Sequence, residues 1–166
     1  MTGGRALAEF WLADAGRTAA LGRALAPRLR QGDVVGLAGP LGAGKTSLAR
    51  AIIHALPGPP GSETEAIPSP TFTLVQIYER RPAPVWHFDL YRLERPEEVW
   101  ELGWEQALTE GIVLVEWPER LASLLPGAAL LLTLAPGRSA GEGRQAILAG
   151  PAPWDRRLAG LHLDAA

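Results

Sequence analysis

One lysine stands among fifteen arginines in this chain, at position 45 between Gly44 and Thr46, within the stretch GPLGAGKTSLAR. Gly39 to Thr46 fits the spacing G-x-x-x-x-G-K-[ST]. Every fixed position has a chemical reason if the task is to hold a phosphate chain. Gly39, Gly42 and Gly44 allow a tight loop of backbone N–H groups to approach an anion, with Leu41, Ala43 and Ser47 completing the same cradle. Lys45 offers a compact charge on a flexible stem that reaches between β- and γ-phosphates, where an arginine fork would be bulkier. Thr46 offers a hydroxyl to Mg²⁺, and a helix starting at the loop aims its positive end at the anion. The alternative is a chance glycine turn ahead of a helix, which composition alone produces in roughly one chain in a hundred of this length.

The flanking residues argue against chance. Val34-Val35-Gly36-Leu37-Ala38 reads as a buried strand entering the loop. Ser47 to Ile53 reads as the helix leaving it, stopped by Pro57-Gly58. Strand, loop and helix is the context a phosphate loop requires.

Such a site also needs a carboxylate that holds Mg²⁺ or its waters and orients the attacking water, usually at the exposed end of a neighbouring apolar strand. Asp89 follows VWHF and Glu116 follows GIVLV, so both stand where that carboxylate belongs. Taken alone, either is as readily a surface acid at a strand end; beside a phosphate loop, a metal role is the expectation for both. Glu97, Glu98 and Glu119 fall in helix-like, solvated contexts. Ser69-Pro70-Thr71-Phe72 offers hydroxyls for sensing a nucleotide, although an ordinary Ser-Pro turn explains it equally. His87 reads as packed rather than catalytic. Trp117 either covers the site or fills core, and Trp86, Trp100, Trp104 and Trp154 read as packing residues. Arg92 and Arg95 suit a phosphate, a partner or plain solvent.

The remaining elements form a coarse α/β order. Residues 15–30 have the spacing of an amphipathic helix, with Leu21, Leu25 and Leu29 on one face and Pro27 disturbing its end. Pro57 to Ser69 reads as a surface segment, Thr71 to Tyr78 as a strand of imperfect sidedness, and Val85 to Phe88 as a short apolar strand. Pro96 to Leu102 begins a helix with proline near its start and glutamates in its first turn. Ile112 to Val115, Ala128 to Leu134 and Arg144 to Leu148 complete the strands, the last two around a glycine-rich turn from Pro136 to Gly143. The expected fold is a single P-loop NTPase-like α/β domain spanning 1–166. A mixed, mostly parallel sheet is flanked by helices and ends in an antiparallel hairpin, with 1–10 and 150–166 at the periphery.

Composition narrows the function classes. A length of 166 residues is enough for one domain with a sizeable core. No apolar run approaches the roughly 18 residues of a membrane span, and no leader is evident, so a cytoplasmic protein without membrane contact is expected. With no cysteine, disulfides and cysteine–metal sites are excluded. A formal charge of −2 argues against a broad basic face gripping nucleic acid.

Taken together in order, Thr18-Ala-Ala-Leu-Gly22, GPLGAGKT, SPTFTLV, Tyr78, HFDLYRL, a Pro-Glu-Glu helix and VEWPER resemble the TsaE family. These are small bacterial P-loop ATPases needed to make threonylcarbamoyladenosine on tRNA. The likeness covers about Thr18 to Glu119, and more weakly extends through Gly-Glu-Gly-Arg to Leu148. It implies ATP and Mg²⁺ as cofactors and a TsaB–TsaD complex as partner. In that complex TsaD performs the transfer, and tRNA is met only through it; the ATPase resets the complex. The resemblance further implies Lys45 and Thr46 on phosphate and metal, Thr71 in one switch-like loop and Asp89 in a second. Glu116 would serve the metal or water, with Trp117 beside the site. The segment of Ala15 and Thr18 would lie near the adenine, and Gly143 with Arg144 would approach from the C-terminal side. One departure is clear: the family usually has aspartate where this chain has Pro40, which removes a charge beside the phosphates.

Three classes compete. A GTPase would need Asn-Lys-x-Asp to read its base, which a chain whose single lysine is Lys45 does not contain. A small-molecule kinase would need an arginine-bearing lid, for which only Arg80-Arg81 or Arg156-Arg157 could be offered. A nucleotide-gated module that hydrolyses ATP as its reset fits best.

Overall fold

Val34–Ala38 contains only small and apolar residues, and it forms a central strand in the computed structural model, which describes residues 4–137 and 143–164. In chain order the regular elements are β1 (Ala6–Leu12), α1 (Ala15–Leu25), β2 (Val34–Ala38), α2 (Lys45–Ala55), β3 (Val75–Tyr78) and β4 (Val85–Asp89). There follow α3 (Trp104–Glu110), β5 (Ile112–Glu116), β6 (Leu130–Pro136), β7 (Arg144–Ala149) and the single turn α4 (Trp154–Arg157). All seven strands share one sheet in the order β1-β7-β6-β2-β5-β4-β3. The four middle strands, β6-β2-β5-β4, run parallel; β7 and β1 extend one flank antiparallel and β3 the other. The parallel pairings are thus confined to the centre, and the expected C-terminal hairpin is β6–β7, whose connecting residues 138–142 lie outside the described ones.

Alternation along β4 and β5 decides what packs on each side of the sheet. Val85, Ile112 and Leu114 face the cluster built with Leu21 and Leu25 of α1 and Leu48, Ile52 and Ile53 of α2. Trp86, Phe88, Val113 and Val115 face the opposite cluster, with Val99, Trp104 and Leu121. A period of two therefore carries His87, Asp89 and Glu116 to the α2 face. That parity brings the acids to the same side as the glycine-rich loop ahead of α2.

Several elements differ from expectation for identifiable reasons. The first helix ends at Leu25 and continues as a 3₁₀ turn over Ala26–Arg28 with Pro27 in its first turn, so proline does disturb the end. Pro96–Leu102 is a 3₁₀ rather than an α-helix. Thr71 to Leu74 is a turn and not strand: Leu74 N–H donates to Pro70 O at 2.7 Å and Leu74 takes φ 66°. The Pro57–Ser69 segment is not wholly at the surface, because Ile67 and Ser62 are buried. The guanidinium of Arg80, itself buried, needs acceptors there and finds Ile53 O at 2.9 Å, Ser62 O at 3.2 Å and Glu65 at 2.9 Å. Trp86, Trp104 and Trp154 do pack, whereas Trp100 is 48% exposed.

Residues 150–164, expected at the periphery, close the α1 side. Trp154 and Leu158 are buried there, and Trp154 Nε1 donates to Ala128 O at 2.8 Å. Arg157 forks onto both carboxylate oxygens of Asp33, with one bond of 2.8 Å, while Arg28 donates to Arg157 O and Ala159 O at 2.7 and 3.0 Å.

Candidate functional site

The loop between β2 and α2 has the conformation its glycines predict. Gly39, Gly42 and Gly44 all have positive φ, at 146°, 76° and 101°, and a Cβ on Gly39 would lie 2.5 Å from Leu134 O. Helix α2 begins at Lys45, so its first-turn N–H groups have no intrahelical acceptor and point into the loop. The loop is braced from behind: Arg144 donates to Ala43 O at 2.9 Å and Gly42 O at 2.8 Å. Within the loop the Ala43 N–H donates to Pro40 O at 3.1 Å.

Lys45 is 5% exposed; its Nζ donates to Gly39 O at 2.6 Å and Pro40 O at 2.8 Å, and lies 4.0 Å from the centre of the Trp117 ring. Burial pushes the Lys45 ammonium pKa below its ordinary value, against the opposing pull of Glu116, then Glu119 and Asp89. Trp117 reaches the lysine because the chain turns sharply after β5. Its φ of 61° and ψ of 52° are unusual for so bulky a residue, and its N–H donates to Leu37 O at 3.3 Å. Tyr91 packs against the same indole at 5.0 Å between ring centres.

The two acids are Cα partners across the parallel β4–β5 pair, yet they are wired differently. Glu116, 2% exposed, accepts from Thr46 Oγ1 at 2.7 Å on Oε1 and meets His87 Nε2 at 2.7 Å on Oε2. Asp89 accepts from Thr71 Oγ1 at 3.1 Å and Ser69 Oγ at 3.4 Å on one oxygen, and from the Tyr91 N–H at 3.1 Å on the other. Ser69 and Thr71 are themselves 2.7 Å apart. So the structure joins Lys45, Thr46, Glu116 and Trp117 directly, and adds Asp89 with Thr71 as a neighbouring hydroxyl–carboxylate group.

The other expected residues are placed as follows. Leu41 is 70% exposed at the loop tip, Ser47 is exposed on α2, and Ala43 is buried beneath the loop. Ala15 starts α1, and the Thr18 hydroxyl donates to Asp14 O at 3.4 Å within that helix start, with no hydrogen bond to the loop. Gly143 adjoins Arg144, whose register partner is Leu12, so the β1–β7 ribbon ends beside the loop. His87 was expected only to pack; it is fully buried, but it also bonds Glu116. The spacing His87-x-Asp89 puts both residues on one face of the strand, but the bond to Glu116 comes from the β4–β5 register.

The donor set is one of hard oxygens, Thr46, Glu116, Asp89, Thr71 and Ser69, which suits Mg²⁺ rather than a softer metal. Among the described residues no three His, Cys, Asp or Glu side chains gather as a self-sufficient metal cluster. A Mg²⁺ ion bound through one or two carboxylates plus phosphate oxygens needs none.

A family profile described as threonylcarbamoyl adenosine biosynthesis protein TsaE matches residues 12–145. The chain belongs to the TsaE family. Members called tRNA threonylcarbamoyladenosine biosynthesis protein TsaE include that of Rickettsia conorii, 45% identical over 108 residues, 65% of this chain and 59% of that protein. The Nostoc protein is 43% identical, covering 69% and 70%, and the Haemophilus influenzae protein is 40% identical, covering 61% of each. The match thus spans about three fifths of the rickettsial TsaE. The crystal structure of Bacillus subtilis YdiB shares the fold with a TM-score of 0.71, at 24% identity and 93% coverage of both chains. Among the described residues no helix is long and apolar enough to cross a membrane.

Proposed function

We propose that the chain binds ATP with Mg²⁺, hydrolyses it, and thereby resets a TsaB–TsaD complex during threonylcarbamoyladenosine synthesis on tRNA. The observation that carries this reading is the 2.7 Å bond from the Thr46 hydroxyl to Glu116. By donating its hydrogen bond to the carboxylate, the hydroxyl keeps its oxygen lone pairs for a cation. Lys45 and the N-terminus of α2 would hold the phosphates, and Thr46 the metal. Mg²⁺ supplies Lewis-acid stabilisation of charge on the phosphoryl oxygens when bound. Glu116 and Asp89 hold the ion or its waters and orient the attacking water. The loop of Ser69 and Thr71 is tied to Asp89, so it is the element through which nucleotide state would alter partner affinity. Any such gating requires different affinities for two states.

The runner-up, a small-molecule kinase, is disfavoured by where its arginines lie. Arg80 is buried on Ile53 O, Ser62 O and Glu65, and Arg157 is paired with Asp33, which leaves only the exposed Arg81 and Arg156 of the two pairs to serve a lid. ATP hydrolysis measured with the chain alone, with a TsaB–TsaD pair and with phosphoryl acceptors separates the readings. Pull-downs with ADP, with a non-hydrolysable ATP analogue and without nucleotide belong beside it. Stimulation by the pair and nucleotide-dependent association are expected. Equal association in all three states, or turnover only with an acceptor, would overturn the proposal.

A further inference from the structure

His87 is fully buried in the middle of β4, between Trp86 and Phe88 and opposite Leu114 of β5. An apolar side chain would fill such a place without desolvating a polar ring. The imidazole does so at a visible cost: its Nδ1 has no hydrogen-bond partner among the described residues. Its other nitrogen makes one contact, 2.7 Å to Glu116 Oε2. The tautomer follows from that contact. A bare Nε2 would set its lone pair against a carboxylate oxygen, so Nε2 carries a proton and donates to Glu116.

Glu116 shows what the bond does. Its Oε1 faces the Thr46 hydroxyl, and its Oε2 has no other protein donor among the described residues. Without His87, the buried Oε2 would lack a partner and the carboxylate would lose one of the two bonds that fix its plane. We propose that His87 is the positioning residue of this site: its Nε2–H holds Glu116 in the orientation that serves Thr46 and the metal. The inference rests on the ATP and Mg²⁺ reading above and deepens it.

The test uses the full chain with its TsaB–TsaD partners. His87→Phe keeps the ring's bulk and removes the donor; His87→Gln removes the ring but keeps an N–H able to reach Glu116. Losing such a supporting contact typically costs about 10- to 100-fold in metal affinity or activity. In His87→Phe, kcat should fall by that factor and the gain in ATP affinity on adding Mg²⁺ should shrink likewise. Affinity in EDTA, set by Lys45 and the loop amides, should not move. His87→Gln should restore most of both. ¹⁵N NMR, simplified by there being only three histidines, should show His87 in the Nε2–H form with a proton shift that changes in Glu116→Gln. Folded His87→Phe with wild-type kcat and Mg²⁺ response, a folded His87→Gln as defective as His87→Phe, or the opposite tautomer would overturn the assignment. A wild-type chain that neither binds nor hydrolyses ATP would sink the parent reading instead, and the NMR result would still decide the His87–Glu116 pair.

Discussion

Glu116 and Asp89 occupy equivalent places, at the C-terminal ends of neighbouring parallel strands, in register and on the same face of the sheet. Their surroundings are not equivalent. Glu116 is bonded to the first turn of α2 and to the interior of β4, both parts of the packed frame. Asp89 is bonded to two hydroxyls of the 69–71 loop and to the N–H of Tyr91, just beyond its own strand. The first acid can therefore hold chemistry at a fixed place, whereas the second can report or control where a loop lies. Position on a sheet identifies a carboxylate as available; its partners decide what it is available for.

The largest expected effect tests the fixed acid. Glu116→Gln removes charge with little change of shape and should lower kcat by about 10²–10⁴-fold while ATP still binds. Normal turnover in the presence of partners would make Glu116 structural. Next comes Lys45→Ala, which deletes a charge-assisted contact worth about 1.5–3 kcal/mol, roughly 10- to 150-fold in ATP affinity. Isothermal titration would detect it, and an unchanged affinity in the folded variant would end the phosphate-loop reading. Asp89→Asn should cost roughly tenfold in turnover and act through the loop. Its mark is faster hydrogen exchange across 69–74, absent from Glu116→Gln; the same exchange in both variants would erase the contrast between the acids.

The smallest effect concerns proton binding at Lys45, which can be followed without ambiguity because it is the chain's only lysine. Its pKa is lowered by burial and raised back more by Glu116 than by Asp89. By ¹³C NMR, Glu116→Gln should therefore lower it further than Asp89→Asn does. Between the folded pKa and 10.5 the unfolded chain binds more protons, so stability rises with pH there. If Lys45 holds phosphate, ATP affinity measured by titration should fall over the same range as the ammonium is lost.

What could be read without coordinates followed local pattern. β2, β4 and β5 are short apolar runs bounded by glycine, proline or an acid, and their buried interiors match that composition. The glycine-rich loop before α2 and the placing of two acids at strand ends followed from the same local pattern. β1 escaped it because Ala-Leu-Ala-Glu-Phe-Trp-Leu, on the sheet's edge, is only partly buried and lacks a clean alternation. Seven-residue α3 carries no side-chain cap to announce it. Thr71 to Leu74 has strand-like residue types, but its turn depends on backbone bonds to Pro70 and Asp89. The His87–Glu116 bond depends on the register between two strands separated by a 3₁₀ helix and α3, which no local window specifies.

The β1–β7 pairing, Ala6 with Ala149 through Leu12 with Arg144, also imposes an order of assembly. The strand made earlier has only one neighbour in the sheet, and that neighbour is synthesised more than a hundred residues later. While the chain is still emerging from the ribosome, β2, β4 and β5 can already associate, whereas Leu12 has no partner strand. The same delay applies to Asp33, which waits for Arg157, and to the Gly42 and Ala43 carbonyls, which wait for Arg144. The glycine-rich loop ahead of α2 thus acquires its brace only once Arg144, about a hundred residues further along the chain, has been synthesised.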